Sequence, residues 1–329
     1  MVTANIDISI IIVNYKSWAH LKQCLLSIIK IVDKDLKFEV IIIDNDSNDD
    51  KLDKFSDQFP AFTFVLNTGN NGFSNGCNAG AKVAKGEFLL FLNPDTIISK
   101  KALKTLFNTA KRYPEYELIS CNKTNSKGEL EKVSKPLPSF ITLFGLTRSI
   151  YRLFNKKLLL KSVSNEDNIV FPNWLSGSLI LMSKEWFYKL EGWNEDYWMY
   201  YEDVDISKRT IDLQGKIALA KDTSIIHNHG GASRINVKTT ALTKSEVIIS
   251  RHIYIRNHFK GGVKFLSQLL LAMIVLIEKF ILAVFGLFLF FKPKLLVNVY
   301  LFINMLKYYF QAIINRTWLS KRSMNYKTK

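Results

Sequence analysis

Ile8-Ser9-Ile10-Ile11-Ile12-Val13-Asn14-Tyr15, running into Ser17-Trp18-Ala19-His20-Leu21-Lys22-Gln23-Cys24-Leu25-Leu26-Ser27-Ile28, is the stretch that decides the fold. Its first six residues are mostly β-branched and almost unbroken in hydrophobicity, the pattern of a strand buried on both faces of a parallel sheet. Ser17 to Val32 then reads as a helix, because Trp18, Leu21, Leu25, Ile28 and Val32 recur at three and four and Ser17 suits an N-cap. The alternation repeats downstream. Phe38 to Ile43 is a second strand, closed by Asp44-Asn45-Asp46-Ser47, with a short helix expected after it. Phe62 to Leu66 is a third strand. Asn67 to Gly76 is too rich in Gly and Asn for regular structure, and Asn75 to Val83 reads as a helix. Phe88 to Leu92 is a fourth strand ending at Asn93-Pro94-Asp95, and a helix from Ser99 to Arg112 carries Leu103, Leu106, Phe107 and Ala110 on one face. Such an order calls for a Rossmann-like α/β domain, a mostly parallel sheet with helices on both faces. Ligands of these sheets bind beyond the carboxyl ends of the strands, where Asn14, Asp44, the Asn67 to Gly72 loop and Asp95 fall. Lys135 to Asn168, with Pro136 and Pro138, reads as an irregular excursion.

The charge is unevenly spread. Of a net +16 over 329 residues, the chain from Arg251 onward holds 13 basic residues and one acidic, leaving +4 for the first 250. That basic tail flanks three apolar runs, Phe265 to Ile277, Phe280 to Phe291 and Leu295 to Leu306, so a membrane surface is a better partner than nucleic acid. Gly261-Gly262 marks the break, giving residues 1–260 as one domain and 261–329 as a basic, apolar, membrane-associating helical region. Between Lys264 and Lys292 lie 27 residues interrupted by Glu278-Lys279. A charged pair near the centre argues against a simple span and for helices lying in or dipping into one leaflet; a soluble helical bundle for dimerisation is the alternative. Cys24, Cys77 and Cys121 form no CxxC pair, which points to a reducing compartment without a zinc site or disulfide framework. No basic segment precedes a signal-like apolar stretch at the N-terminus, so export is not expected.

Glu202, Asp203 and Asp205 put three carboxylates within four residues. Carboxylates side by side repel and need a cation, a metal or a proton between them, which is how active sites look. A helix beginning near Tyr201 places them in its first turn, where the dipole favours the ionised form; acids merely decorating a helix N-terminus are the alternative. Upstream, Ser176-Gly177-Ser178 is a small-residue turn before an apolar run, and Gly192-Trp193-Asn194-Glu195-Asp196 leads toward the acids. Together with Asp44 and Asp95 these features indicate an enzyme acting on a nucleotide-activated substrate.

Val13-Asn14-Tyr15, Asp44-Asn45-Asp46-Ser47, Asn70-Asn71-Gly72-Phe73 with Asn78, Asn93-Pro94-Asp95, Trp174-Leu175-Ser176-Gly177, Glu202-Asp203-Val204-Asp205 and His227 follow one another in an order that resembles the family 2 glycosyltransferases, specifically their rhamnosyltransferase-like branch, over Ile8 to Ser233. The resemblance implies a GT-A fold, an inverting mechanism and a nucleotide-diphospho-sugar donor held by Asn14, Tyr15, Asp44, Asn45, Asn71, Gly72, Asn78, Asn93 and Asp95. By it Asp44 accepts from the imide N–H of a pyrimidine; otherwise Asp44 and Ser47 simply cap the next helix. Asp95 matches the last acid of the DxD motif and Asn93 replaces the first, which weakens the grip on a hard cation. His227, in preference to His229, completes a Mg²⁺ or Mn²⁺ site with Asp95. Asp203 matches the base that takes the acceptor's proton, with Glu202 and Asp205 beside it in the catalytic group. Trp174, Ser176 and Gly177 fall on the acceptor side, near which the 135–168 excursion is placed. Trp174, Trp193 and Trp198 offer faces for sugar stacking or belong to the core.

The expected function is transfer of L-rhamnose from dTDP-rhamnose to a polyprenyl-diphosphate-linked saccharide in O-antigen or related cell-surface polysaccharide assembly, at the cytoplasmic face of the inner membrane, with peripheral or monotopic attachment. The rivals are a UDP-hexose or UDP-galactofuranose donor on the same fold, and a non-catalytic sugar-nucleotide or membrane-binding protein.

Overall fold

The computed structural model of the chain describes residues 6–131, 136–155, 168–228, 236–289 and 291–326. Contacts divide it into two compact units: one contains the chain up to Asn194 and resumes at Glu202, and the other takes Glu195–Tyr201 with everything described after residue 235.

The first unit is built on a sheet of nine strands among the described residues: β1 (Ile8–Asn14), β2 (Phe38–Asp44), β3 (Thr63–Leu66), β4 (Phe88–Leu92), β5 (Thr96–Ile97), β6 (Tyr116–Thr124), β7 (Ile169–Val170), β8 (Leu179–Ser183) and β9 (Lys216–His227). Their order is β3-β2-β1-β4-β8-β6-β9-β5, with β7 also paired to β9. β1 to β4 run parallel, in the register Asn14 opposite Asp44. β8 enters antiparallel between β4 and β6, and β6 and β9 pair in parallel. β1 serves both faces, as its unbroken hydrophobicity requires. Ile8, Ile10 and Ile12 pack with α1 (Trp18–Ile29) and α4 (Lys100–Arg112), while Ile11 and Val13 pack with α3 (Phe73–Val83). Helices therefore cover both faces of a mostly parallel sheet, as expected.

Several details differ from the expectation. α1 ends at Ile29, so Val32 lies beyond it and is 76% exposed. Ser17 stands at the N-cap without a side-chain cap bond, whereas Ser99 does cap α4, accepting from the Ala102 N–H. Asp44 and Ser47 cap nothing, because α2 (Leu52–Gln58) starts five residues past Ser47 with Lys51 at its N-cap. The 135–168 excursion contains a helix, α5 (Gly145–Phe154), whose Leu153 and Phe154 are exposed; residues 156–167 of it, and His229, lie outside the described residues. α6 (Lys184–Lys189) and α7 (Glu202–Asp212) complete this unit.

The second unit contains α8 (Val237–His258), α9 (Gly261–Phe288) and α10 (Pro293–Ile314). The contact grouping thus puts α8 with the apolar helices, so the unit starts upstream of the Gly261-Gly262 break. α9 is long and apolar enough to cross a membrane, yet only 22% of its most apolar 18-residue window is buried. Phe265, Ile277, Phe280, Phe285 and Phe288 are all more than half exposed. α9 and α10 pack closely at Gly286, where a Cβ would come within 2.6 Å of the Leu295 carbonyl oxygen. In α8, His252 is fully buried, stacked on Trp318 at 4.7 Å, hydrogen-bonded to Tyr309 at 3.0 Å and to Gln268. Burial pushes its pKa down to about 4.

Candidate active site

The carboxyl ends of β1 and β2 carry a pocket of polar side chains that satisfy one another. Asn14 Nδ2 donates to Asp44 Oδ1 at 2.8 Å and Asn14 Oδ1 accepts from the Ser17 N–H at 3.2 Å. Ser47 donates twice to Asp44, from Oγ to Oδ1 at 2.6 Å and from N to Oδ2 at 2.9 Å. A carboxylate has about four acceptor positions, so these three bonds leave one on Oδ2. Asn45 Nδ2 donates to the Gly72 carbonyl at 2.9 Å and Asn45 Oδ1 accepts from Asn67 Nδ2 at 2.9 Å, tying the second strand to the turn that opens α3. Asn71 lies in that turn, its N–H bonded to the Gly69 carbonyl. Tyr15 is 42% exposed at the rim.

Asn78 sits elsewhere. Its amide donates to the Trp193 carbonyl and accepts from the Trp193 N–H, both at 2.9 Å, which pins the Gly192-Trp193 turn to α3. The same turn receives Arg209, whose guanidinium donates to the Leu190 and Gly192 carbonyls while its Nε donates to Asp205 Oδ2 at 2.7 Å. Trp193 is 1% exposed and packs edge-on to Phe73 and Phe91, so it is core and offers no sugar platform. Trp198 is likewise buried.

The turn after β4 leads from the pocket to the acids. The Asn93 N–H donates to the Ser178 carbonyl at 3.0 Å, joining Asn93-Pro94-Asp95 to the Ser176-Gly177-Ser178 turn. The Gly177 N–H in turn donates to Asp203 Oδ2 at 3.1 Å. A Cβ at Gly177 would sit 3.3 Å from the Asp203 Cβ, so the glycine admits this close approach. Asp203 Oδ1 also accepts from the Val204 N–H. Ser207 bonds the Asp203 carbonyl and the Leu175 N–H, fixing α7 against the Trp174–Ser178 segment. Lys123, missed in the sequence, is buried with Nζ 3.1 Å from the Ser176 carbonyl.

The three acids have three different surroundings. Asp205 is 1% exposed and paired with Arg209 Nε at 2.7 Å. Glu202 is 8% exposed, with Oε2 making no hydrogen bond. Burial pushes its pKa well above the ordinary carboxylate range, and the Asp203 and Asp205 charges push the same way. Asp203 is half-buried, with both oxygens oriented by backbone N–H groups. Of the three acids it alone is not buried.

Asp95 meets His227 across the β5–β9 pair, where Thr96 faces His227. Asp95 Oδ1 is buried without a hydrogen bond and 3.4 Å from His227 Nε2. His227 Nδ1 is 3.1 Å from Glu131 Oε1, a residue that no sequence motif marks. Burial lowers the imidazole pKa, but Asp95 and Glu131 outweigh it and the net shift is upward. An orphaned carboxylate oxygen beside an imidazole, whose far nitrogen is fixed by a second carboxylate, is the arrangement of a metal-ligating histidine. The residues therefore fit a divalent cation. Among the described residues no three acidic, histidine or cysteine side chains converge.

The model of the family described as glycosyl transferase family 2 matches residues 9–175. The chain belongs to that family. This family 2 glycosyltransferase is 29% identical over 226 residues, 68% of its length and 67% of the relative's, to the low-salt glycan biosynthesis hexosyltransferase Agl10 of Haloferax volcanii. It is 21% identical to the N-acetylglucosaminyl-diphospho-decaprenol L-rhamnosyltransferase of Mycobacterium tuberculosis, covering 61% of this chain and 69% of that one. It is 27% identical to the poly(ribitol-phosphate) beta-N-acetylglucosaminyltransferase TarS of Staphylococcus aureus, covering 52% of this chain but only 30% of TarS. Its fold matches GalNAc-T7 crystallised with UDP, GalNAc and Mn²⁺ at a TM-score of 0.53 and 15% identity, over 74% of this chain and 48% of that one. The GT-A architecture and the enzyme class, a hexosyltransferase, stand on these matches.

Proposed function

We propose that the enzyme is an inverting transferase that moves L-rhamnose from dTDP-rhamnose to a saccharide on a polyprenyl diphosphate. Asp44 and Asn14 receive the pyrimidine, beside Tyr15, Asn45, Asn71 and Gly72. Asn93 and Asp95 face the diphosphate. Asp203 Oδ2 takes the acceptor hydroxyl's proton as that oxygen bonds to the anomeric carbon, while the carbon–oxygen bond to the diphosphate breaks and the nucleoside diphosphate leaves with its electron pair. Attack from the face opposite the leaving group inverts the configuration. A Mg²⁺ or Mn²⁺ ion bound by Asp95 and His227 would neutralise charge on the departing diphosphate. The acceptor sugar lies along Trp174, Ser176 and Gly177.

The observation that carries this reading is the Gly177 N–H bond to Asp203, which aims one carboxylate at the small-residue turn while Asp205 is paired with Arg209 and Glu202 Oε2 is buried without a hydrogen bond. The rhamnose donor is supported by the mycobacterial relative and by the similar rhamnosyltransferase WbbL of Escherichia coli. TarS, solved in a UDP complex with a TM-score of 0.50 to this chain, favours a second reading with a UDP-sugar donor. The exposed apolar face of α9, flanked by lysines, supports attachment to the cytoplasmic face of the plasma membrane, where a lipid-linked acceptor is presented. Release of nucleoside diphosphate by purified protein with Mn²⁺ and a lipid-linked acceptor decides the donor. The expected outcome is turnover of dTDP-rhamnose that Asp203→Asn abolishes; turnover of UDP-sugars alone overturns the rhamnose assignment.

A further inference from the structure

The positive charge of the first 250 residues comes from one stretch. Lys132 to Asn165 carries seven basic residues and no acidic one, so the other residues up to 250 hold 25 basic and 28 acidic, a net −3. The described part of this stretch belongs to the first unit, and it presents apolar side chains on an ordered frame. Thr142 and Leu143 are buried. Thr142 Oγ1 donates to the Leu137 carbonyl at 2.9 Å and accepts from the Ser139 N–H at 2.8 Å. The Leu143 N–H donates to the Ser139 carbonyl at 2.9 Å, closing a turn whose outer residues, Phe140 and Ile141, are exposed. The Thr147 hydroxyl donates to the Ile141 carbonyl, which ties the start of α5 to this turn.

Within α5, Ile150, Leu153 and Phe154 stand at spacings of three and four, and so share one face of the helix. All three are exposed, Leu153 at 77% and Phe154 at 84%, the most exposed of the large apolar side chains described. Single leucines on a surface are ordinary. A helix face of three, with two more exposed apolar residues in the adjoining turn, marks an interaction surface. The charge says what meets it. An apolar helix face in the open, set in a stretch with only basic charges, has the composition of a helix that lies in a lipid interface, where an anionic membrane supplies the complement to both.

We propose that α5 is a lipid contact carried by the catalytic unit itself: Ile150, Leu153 and Phe154 enter the headgroup–acyl boundary of an anionic membrane, and the basic residues of Lys132 to Asn165 draw the helix to it. The inference deepens the membrane attachment proposed for α9 and rests on that reading, that the protein works at a lipid surface.

The test uses the full chain reconstituted with vesicles and a polarity-sensitive fluorophore on an introduced cysteine. Cys24, Cys77 and Cys121 are buried, so the label reports from Leu153→Cys on α5, from Phe285→Cys on α9, or from Val32→Cys, an equally exposed position past α1. On vesicles of phosphatidylcholine with about 30% phosphatidylglycerol, the label at 153 is expected to shift to the blue and brighten about threefold. Phosphatidylcholine alone gives far less of this response, and about 1 M salt, which cuts the Debye length to ~3 Å, removes most of it. The label at 285 responds on both kinds of vesicle, and the label at 32 on neither. Aqueous emission at 153 beside a response at 285 overturns the α5 contact and leaves the attachment of α9 standing; aqueous emission at both overturns the attachment and this inference with it. A blue emission at 153 that is the same with and without anionic lipid, in low and high salt, means that protein covers the face, and a response at 32 equal to that at 153 means that the dye alone seeks the lipid; either overturns the proposal.

Discussion

The polar pocket at the ends of β1 and β2, proposed for the nucleotide, and the start of α7 are both built around acids and solve their positioning in opposite ways. At the ends of β1 and β2, Asn14, Asp44 and Ser47 hold one another through side-chain bonds between neighbouring strands. At α7 the acids stand in different surroundings: Asp205 is paired with Arg209, Asp203 accepts from two backbone N–H groups, and Glu202 is buried with its pKa raised. A strand end is rigid, so short-range bonds suffice there. A helix start is free to move, and its orientation has to be imposed from the Ser176-Gly177-Ser178 turn and from Arg209.

The comparison breaks most visibly at Asp44. Asp44→Ala orphans the buried amide of Asn14 and removes the acceptor for the base, and about 3 kcal/mol of nucleotide affinity, roughly a hundredfold, is expected to go. Calorimetry with dTDP or UDP measures it, and an unchanged Kd would take the pyrimidine away from this pocket. Asp205→Ala probes the other region. Arg209 keeps its two carbonyls, so about 2 kcal/mol of folding stability is expected to be lost in urea, with nucleotide affinity unchanged. Loss of affinity without loss of stability would show Asp205 to be a ligand instead of an anchor. Glu131→Ala releases the far nitrogen of His227, and the Mn²⁺ concentration for half-maximal activity should rise about tenfold; no change would separate His227 from the cation.

The smallest effect is a slope. Because Glu202 keeps its proton in the fold above the pH at which an unfolded glutamate releases it, stability falls as pH rises from the ordinary value of 4.5 toward the raised one. Glu202→Gln removes that loss, so its melting temperature should gain on the wild type as pH rises above 4.5; a parallel pair of curves would mean that Glu202 is ionised.

Much of this was legible in order and little of it in detail. The Ile8–Val13 run announced a doubly covered strand, and Asn14, Asp44 and Asp95 could be placed at strand ends because strand and helix alternate, the two-residue β5 apart, as far as Arg112. The insertion of β8 against the parallel direction between β4 and β6 leaves no local mark, since an apolar run buried on both faces reads the same in either direction. Glu131 approaches His227 from 96 positions away, and no spacing rule spans that distance. Asp203 and Asp205 look alike in the sequence. What separates them is Arg209, one helical turn past Asp205 and pointing back at it, and Gly177, whose missing side chain lets a backbone N–H reach Asp203. Tyr200 and Tyr201 adopt left-handed backbone that nothing in their residue type announces.

The central claim is that one of the three acids does the chemistry. Its most direct test is the single-turnover rate of sugar transfer in Asp203→Asn, Glu202→Gln and Asp205→Asn, measured side by side at saturating donor. A rate about 1,000-fold down in Asp203→Asn, the scale of a lost general base, with the other two within tenfold of wild type, is the predicted result. Equal losses at Asp203 and Glu202, or a larger one at Glu202, would contradict it.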